Sequence, residues 1–185
     1  FRKKAPPAEL HDRIGYVPQR AVLFSGTVAS NVAYGDNGRE RSGEKEVRRA
    51  LNIAQGTDFV EKMNGTYNAE IAQGGTNVSG GQKQRLAIAR AIARDPEILI
   101  FDDSFSALDY KTDRDLRDAL NKETAEKTKL IVAQRIGTIR NADQIIVLDK
   151  GEMVGHGTHD ELMESCITYQ EIAMSQLSKE ELANG

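Results

Sequence analysis

Residues 79–103 read as a helix that runs into a strand. Ser79 can act as an N-cap, and Gln82, three residues on, can close a capping box. Leu86, Ala89 and Ala93 then recur at helical spacing. Asp95-Pro96-Glu97 breaks the helix, and Ile98-Leu99-Ile100-Phe101 follows as an uninterrupted apolar run that stops at Asp102-Asp103. A short continuous apolar run is how a strand buried on both faces reads. Two carboxylates at the C-terminal end of such a strand sit where ligands bind in open α/β sheets. The start of the helix is unusual, because Gly80-Gly81 fills its first turn. Each glycine costs roughly 1 kcal/mol relative to alanine inside a helix. A helix start that accepts this cost needs its backbone approached closely by something, and exposed N–H groups there favour an anion such as phosphate. The alternative is a loop glycine pair ahead of an ordinary capped helix.

The neighbouring segments favour the first alternative. Val78-Ser79-Gly80-Gly81-Gln82 resembles the signature motif of ABC ATPases, and Ile98 to Asp102 resembles their Walker B strand. Ser106-Ala107-Leu108-Asp109 is similar to the D-loop, and Tyr16-Val17-Pro18-Gln19 to the strand that leads into the Q-loop. Order and spacing agree over nearly the whole chain. Leu23 to Val32 and Gly157-Thr158-His159-Asp160-Glu161-Leu162 resemble exporter-type members, and Ala69 to Gly75 holds the place of the exporter loop that touches the coupling helices. That loop keeps an acid at Glu70 but has Gln73 where the family often carries a second one.

The resemblance implies an α/β fold: a P-loop NTPase (RecA-like) ABC ATPase core, truncated at the N-terminus, with an inserted α-helical subdomain. Residues 1–23 would be the N-terminal remnant of the core with the Q-loop, and 24–94 the helical subdomain with the signature. Residues 95–164 would carry Walker B, D-loop and switch loop, and 165–185 a C-terminal helix. It further implies that Asp102 holds Mg²⁺, that Gln19 contacts the metal and the attacking water, and that Asp103 stands at the position of the general base. Gln134 follows a strand at the position of the switch residue. Ser79, Gly80, Gly81, Gln82 and Asp109 would face ATP, the signature serving the site of a second nucleotide domain packed head to tail.

Two positions depart from the pattern. Active sites of the family usually have glutamate where this chain has Asp103, one methylene shorter, and reach matters because a base must lie within hydrogen-bond distance of its proton. They usually have a switch histidine where this chain has Gln134, which does not become cationic near neutral pH. Both changes in one chain resemble the degenerate half of a heterodimeric ABC exporter. The expectation is a chain that supplies a slow ATPase site of its own and an intact signature for its partner, at the cytoplasmic face of the cell membrane, in series with an upstream transmembrane domain. The isolated piece is expected to be inactive. The rival readings are a soluble ABC ATPase of repair or translation and a non-catalytic dimerisation module in which ATP is structural.

A Walker A motif is not found. The nearest pattern, Gly38 to Lys45, fails because Glu44 precedes the lysine, no Ser or Thr follows it, and no buried strand leads into it. The strand, phosphate loop and helix of that motif are expected upstream of Phe1, and a chain that does not begin with methionine reads as a piece of a longer protein. Composition adds exclusions. A net charge of −3 gives no electrostatic footprint for nucleic acid. The single cysteine, Cys166, allows no internal disulfide and suits a reducing compartment. His11, His156 and His159 have no metal-binding spacing, the last two being expected in a Gly-rich turn. No stretch approaches the ~20 apolar residues of a membrane span.

The remaining segments read simply. Phe1 to Pro7 is a basic connector, Ile14 to Pro18 a short strand, and Asp36 to Lys45 a polar surface loop. Thr27 caps a helix carrying Val28 and Val32 on one face. Val47, Leu51 and Ala54 mark an amphipathic helix over 46–55, and a second starts near Asp58 with Phe59, Val60 and Met63. Lys111 to Glu123 is a charged helix with Leu116 and Leu120 inward. Lys129 to Ala133 reads as another buried strand, and residues 144–148 and 151–154 as a hairpin across Asp149-Lys150.

Overall fold

β4 (Ile98–Asp102) is the centre of a three-stranded parallel sheet, with β1 (Ile14–Val17) on one side and β5 (Thr128–Val132) on the other. The computed structural model describes residues 7–35 and 43–183. Of the connector expected over Phe1 to Pro7, residues 1–6 lie outside the described residues and Pro7 opens the first helix; residues 36–42 of the expected loop, and with them most of the rejected phosphate-loop pattern, also lie outside. The chain divides into two units, Phe1–Val132 and Ala133–Gly185.

In the first unit, α1 (Pro7–Arg13) leads into β1. A two-stranded antiparallel ribbon pairs β2 (Gly26–Thr27) with β3 (Glu70–Ile71). Four more helices follow their sequence signals closely: α2 (Val28–Val32), α3 (Glu44–Ile53), α4 (Thr57–Val60) and α5 (Gly80–Ala93). α2 starts with a reciprocal cap between Thr27 and Ser30, and Glu44 and Lys45, expected in a loop, form the first turn of α3. At the end of α5, Asp95 takes a left-handed φ of 50° and Pro96 follows, which turns the chain into β4. α6 (Tyr110–Glu123) buries Leu116 and Leu120 as expected.

Within this chain one face of the sheet is buried and the other is open, so the expectation of strands buried on both sides is met on one face only. Leu99, Phe101 and Val17 are all 0% exposed and join a core with Leu86, Ile88, Leu116 and Leu51. The register places Tyr16, Ile100 and Leu130 in one row across the sheet, on the opposite face. There Tyr16 and Leu130 are each 54% exposed, Val132 is 50% exposed, and Ile98 and Ile100 are half-buried. An apolar run records that a strand avoids charge; it does not record whether a second layer covers it. Gly15 lies on the buried face, where an added Cβ would stand 2.8 Å from Pro96 Cγ and 3.0 Å from the carbonyl oxygen of Ala91. Glycine at this position lets α5 and its exit loop close onto β1.

The second unit is a hairpin with helices. α7 (Ile136–Ile139) precedes β6 (Ile145–Asp149) and β7 (Glu152–Gly157), which pair antiparallel. The turn is Lys150-Gly151, one residue later than expected, because both positions have φ > 0 (50° and 83°), the demand of the tight hairpin turn that glycine meets best. α8 (His159–Ser165) starts with a capping box between Thr158 and Glu161, and α9 (Ile167–Ala183) follows. Ile145, Val147, Leu162, Cys166 and Tyr169 form this unit's own core. His156 is part of β7 and His159 opens α8, so neither lies in the glycine-rich turn expected for them. Cys166 is a free, buried thiol.

Candidate functional site

The carboxylates at the end of β4 are held by the start of the loop after β1. Asp102, the last residue of the strand, accepts a hydrogen bond at Oδ2 from the Tyr16 hydroxyl at 3.0 Å. That bond holds the phenol protonated and raises its pKa, since ionising it would set a second negative charge against the carboxylate. Asp103 leaves the strand with φ 45° while its N–H still bonds the carbonyl of Val132 at 2.9 Å. Its Oδ2 accepts from Gln19 Nε2 at 3.2 Å. Ser104, 0% exposed, donates its hydroxyl to the carbonyl of Val17 at 2.9 Å and so ties the end of β4 to the end of β1. Asp102, Asp103 and Gln19, expected together, are therefore together. Gln19 is bonded to the base position Asp103, not to Asp102, with which it was expected to share the metal.

The expected signature is a capped helix start. Ser79 accepts the N–H of Gln82 at 3.3 Å, and Gln82 Oε1 accepts the N–H of Ser79 at 2.9 Å. Nothing in the fold requires the two glycines that follow. A Cβ at Gly80 would meet no atom within 4 Å, and one at Gly81 would lie in ordinary contact, 3.4 Å from the carbonyl oxygen of Ala107. Neither residue has positive φ. The packing of the described residues therefore leaves the start of α5 sterically open at both glycines. The same contact brings the signature against the D-loop segment. Asp109 at the end of that segment is the N-cap of α6, accepting from the N–H of Thr112 at 2.9 Å and from its hydroxyl at 2.8 Å. These bonds hold its carboxyl below the usual range. The exporter-like loop is also stapled: Asn77 accepts from the N–H of Ala72 at 2.9 Å and donates to the carbonyl of Glu70 at 2.8 Å.

Gln134 belongs to the second unit. It is exposed, and its carbonyl accepts from Gln176 Nε2 of α9 at 2.6 Å, while Gln176 Oε1 accepts from the N–H of Ile136 at 2.8 Å. Among the described residues no group of three His, Cys, Asp or Glu side chains is placed to hold a metal ion. Asp102 with a neighbouring amide is the donor chemistry of a cation that keeps most of its ligands from water and phosphate, which fits Mg²⁺ better than a metal that needs an all-protein cage. A surface cavity of about 390 Å³ lies elsewhere, between α2, α3 and the turn at 66–68, with Ser30, Glu44, Arg48 and Tyr67 among its lining. It shares no residue with the carboxylates or the signature. No described helix is long and apolar enough to cross a membrane.

Sequence reasoning missed three residues here. Tyr16 stands out in the sequence only as part of the strand before Gln19, and Ser104 and Gln84 carry no functional expectation. Gln84 is 2% exposed and donates from Nε2 to the carbonyl of Pro18 at 3.1 Å, next to Gln19. The available signal was a glutamine at i, i+4, i+7 with Ile88 and Ala91, a polar side chain on an otherwise apolar helix stripe.

The family model described as ABC transporter matches residues 3–106. An uncharacterized ABC transporter ATP-binding protein of Mycobacterium tuberculosis is 48% identical over 90% of this chain and 28% of its own length. An ATP-dependent lipid A-core flippase of Cupriavidus pinatubonensis is 46% identical over 84% of this chain and 26% of its own. Among solved structures, a bacterial Atm1-family ABC exporter with ATP bound superposes with a TM-score of 0.85 at 36% identity, covering 91% of this chain and 29% of that one. The chain spans under a third of the length of these relatives.

Proposed function

Because the chain belongs to the ABC transporter family, we propose that it is the nucleotide-binding domain of an exporter, coupling ATP binding and hydrolysis to movement of a substrate across a membrane. The observation that carries this is the arrangement at the end of β4. Two successive carboxylates are engaged separately, Asp102 by a phenol and Asp103 by the amide of Gln19. Asp102 is the residue that would hold Mg²⁺, whose chemistry when bound would be to neutralise negative charge developing on the phosphate. Asp103 is the residue to orient the attacking water, with Gln19 fixing the carboxylate. In this reading the segment 24–94 is the helical subdomain that carries the signature, 1–23 and 95–164 belong to the ATPase core, and the C-terminal helix expected over 165–185 is represented by α9. The exporter assignment draws on the flippase and exporter relatives and on the stapled loop at 69–77. It places the domain on the cytoplasmic face of the membrane, joined to a transmembrane domain.

Asp103 and Gln134 give this domain the slower site of a heterodimer, while Ser79, Gly80, Gly81 and Gln82 complete the partner's site. The bare helix start supports the second role: its N–H groups and partial positive charge suit a γ-phosphate brought by another chain. The test is the double change Asp103→Glu with Gln134→His in the full-length transporter. It is expected to raise hydrolysis at this site by restoring reach and a protonatable contact. A flat or lower steady-state rate, with folding intact, overturns the slow-site assignment.

A further inference from the structure

The loop that carries Gln19 is bound along its length by side chains of α5 and by one buried asparagine. Gln84 holds the carbonyl of Pro18 at 3.1 Å. Arg90, six residues and about 9 Å further along the helix axis, donates from Nη1 to the carbonyl of Val22 at 2.8 Å. The same guanidinium donates from Nε to the carbonyl of Asn31 at 2.8 Å and from Nη2 to Asn31 Oδ1 at 2.9 Å. Asn31, 2% exposed, accepts from the N–H of Phe24 and donates to the carbonyl of Phe24, both at 2.9 Å. Between these fixed points Leu23, 1% exposed, is sunk into the core. Arg90 also lies over the rings of Phe24 and Tyr34, at 5.2 and 5.6 Å from their centroids. Two of the loop's carbonyls, at Pro18 and Val22, thus receive donors from one helix.

Burial makes this costly to arrange and informative. A buried amide such as that of Gln84 or Asn31, each 2% exposed, is tolerated only when its donors are matched, and the fork of the half-buried Arg90, satisfied by two backbone carbonyls and the Asn31 side chain, tolerates little displacement. Apolar residues in these places would have packed the helix without reference to the loop. α5 begins at Ser79-Gly80-Gly81, and the loop begins at Gln19, the partner of Asp103. We propose that Gln84 and Arg90 are positioning residues for Gln19: by holding the carbonyls of Pro18 and Val22 they make residues 18–24 a rigid extension of the helix that starts at the signature. A displacement at the signature end then moves Gln19 relative to Asp103, and neither shifts alone. This rests on the transporter reading for its catalytic consequence, but its mechanical part does not.

The experiment uses the full-length transporter, unmodified and with Gln84→Met, which keeps an unbranched side chain of similar size but donates no hydrogen bond. Arg90→Lys, which keeps the charge but not the fork, is the second variant. Amide hydrogen exchange is followed in peptides covering 19–24 and 80–93, alongside kcat and KM for ATP in a transporter whose partner site has been inactivated, so that the rate read is that of this chain's own site. In both variants exchange in 19–24 is expected to rise about tenfold with 80–93 unchanged, and kcat to fall five- to tenfold with KM within twofold. Unchanged exchange in 19–24, or an equal rise through α5, overturns the proposal. Faster loop exchange with unchanged kcat overturns the positioning role. If the unmodified protein hydrolyses no ATP, the transporter reading fails, and the exchange result alone decides the clamp.

Discussion

Replacing Gly80 with alanine separates fold from function at the signature. A Cβ at this position meets no atom within 4 Å, and the backbone is helical with negative φ. The substitution therefore adds no clash and removes the entropic cost of glycine in a helix. Gains of this kind run to roughly 0.4–1 kcal/mol. Gly81→Asp tests the same surface harder: its Cβ would lie 3.4 Å from the carbonyl oxygen of Ala107, an ordinary contact, so the side chain fits but brings bulk and negative charge. Thermal and chemical unfolding should show Gly80→Ala at least as stable as the parent and Gly81→Asp folded. ATPase activity of the assembled dimer should fall with Gly80→Ala and be abolished by Gly81→Asp, because both crowd a helix start that the phosphate must approach, and the aspartate also repels it. Near-normal hydrolysis in Gly81→Asp would refute the argument that the glycines serve an incoming anion. A Gly80→Ala protein that is destabilised would refute the claim that the fold leaves this position free.

Two further predictions concern stability. Gly15→Ala forces a methyl group to 3.0 Å from the carbonyl oxygen of Ala91 and 2.8 Å from Pro96 Cγ; overpacking of this sort costs about 1–3 kcal/mol, readable as a lower denaturant midpoint, and a neutral result would mean that α5 sits less tightly on β1. Asp109→Asn keeps an acceptor for the N–H of Thr112 but loses the charge. The carboxyl's folded-state pKa is lowered from 3.8, chiefly by the backbone N–H of Thr112, so its charge-linked stability is present above that value and lost as pH falls through the lower folded pKa. The stability gap between parent and variant should close on acidification below pH 3.8, and a gap that widens there would refute the assignment.

What could be read from the sequence was what is decided locally. The caps at Thr27, Ser79 and Thr158 were legible because each is a contact between residues three apart. So was β4, whose apolar run is bounded by Pro96 and Asp102. Which face of the sheet this chain's own core covers was not legible, because Leu130 and Val132 carry the same side chains whichever face is covered. The bonds from Gln84 to Pro18 and from Ser104 to Val17 span 66 and 87 residues. No periodicity within α5 or after β4 encodes such a partner; it exists only once β1 and β4 lie side by side. Family resemblance singled out the candidate residues, and the bonds that hold them could not be read from it.

The wiring also accounts for how two adjacent carboxylates come to have different partners. Side chains alternate along a strand, and Leu99 and Phe101 point into the core at 0% exposure. Continued by one more extended residue, β4 would send Asp103 to that same buried side, where an unpaired carboxylate is not sustained. The chain instead takes a φ of 45° at Asp103, a conformation that aspartate tolerates better than most residues. Asp102 keeps to the open face with Tyr16, and Asp103 turns out to Gln19. The two groups share a strand end yet have separate partners, which is the condition for one to hold a cation while the other orients water. The left-handed residue that produces this separation is also a reason for aspartate at 103. A glutamate there gains reach and gives up local tolerance of the turn, so the gain in hydrolysis expected for Asp103→Glu should come with a measurable loss of stability, and a variant that gains rate at no cost in stability would mean that the turn at 103 does not constrain the choice of acid.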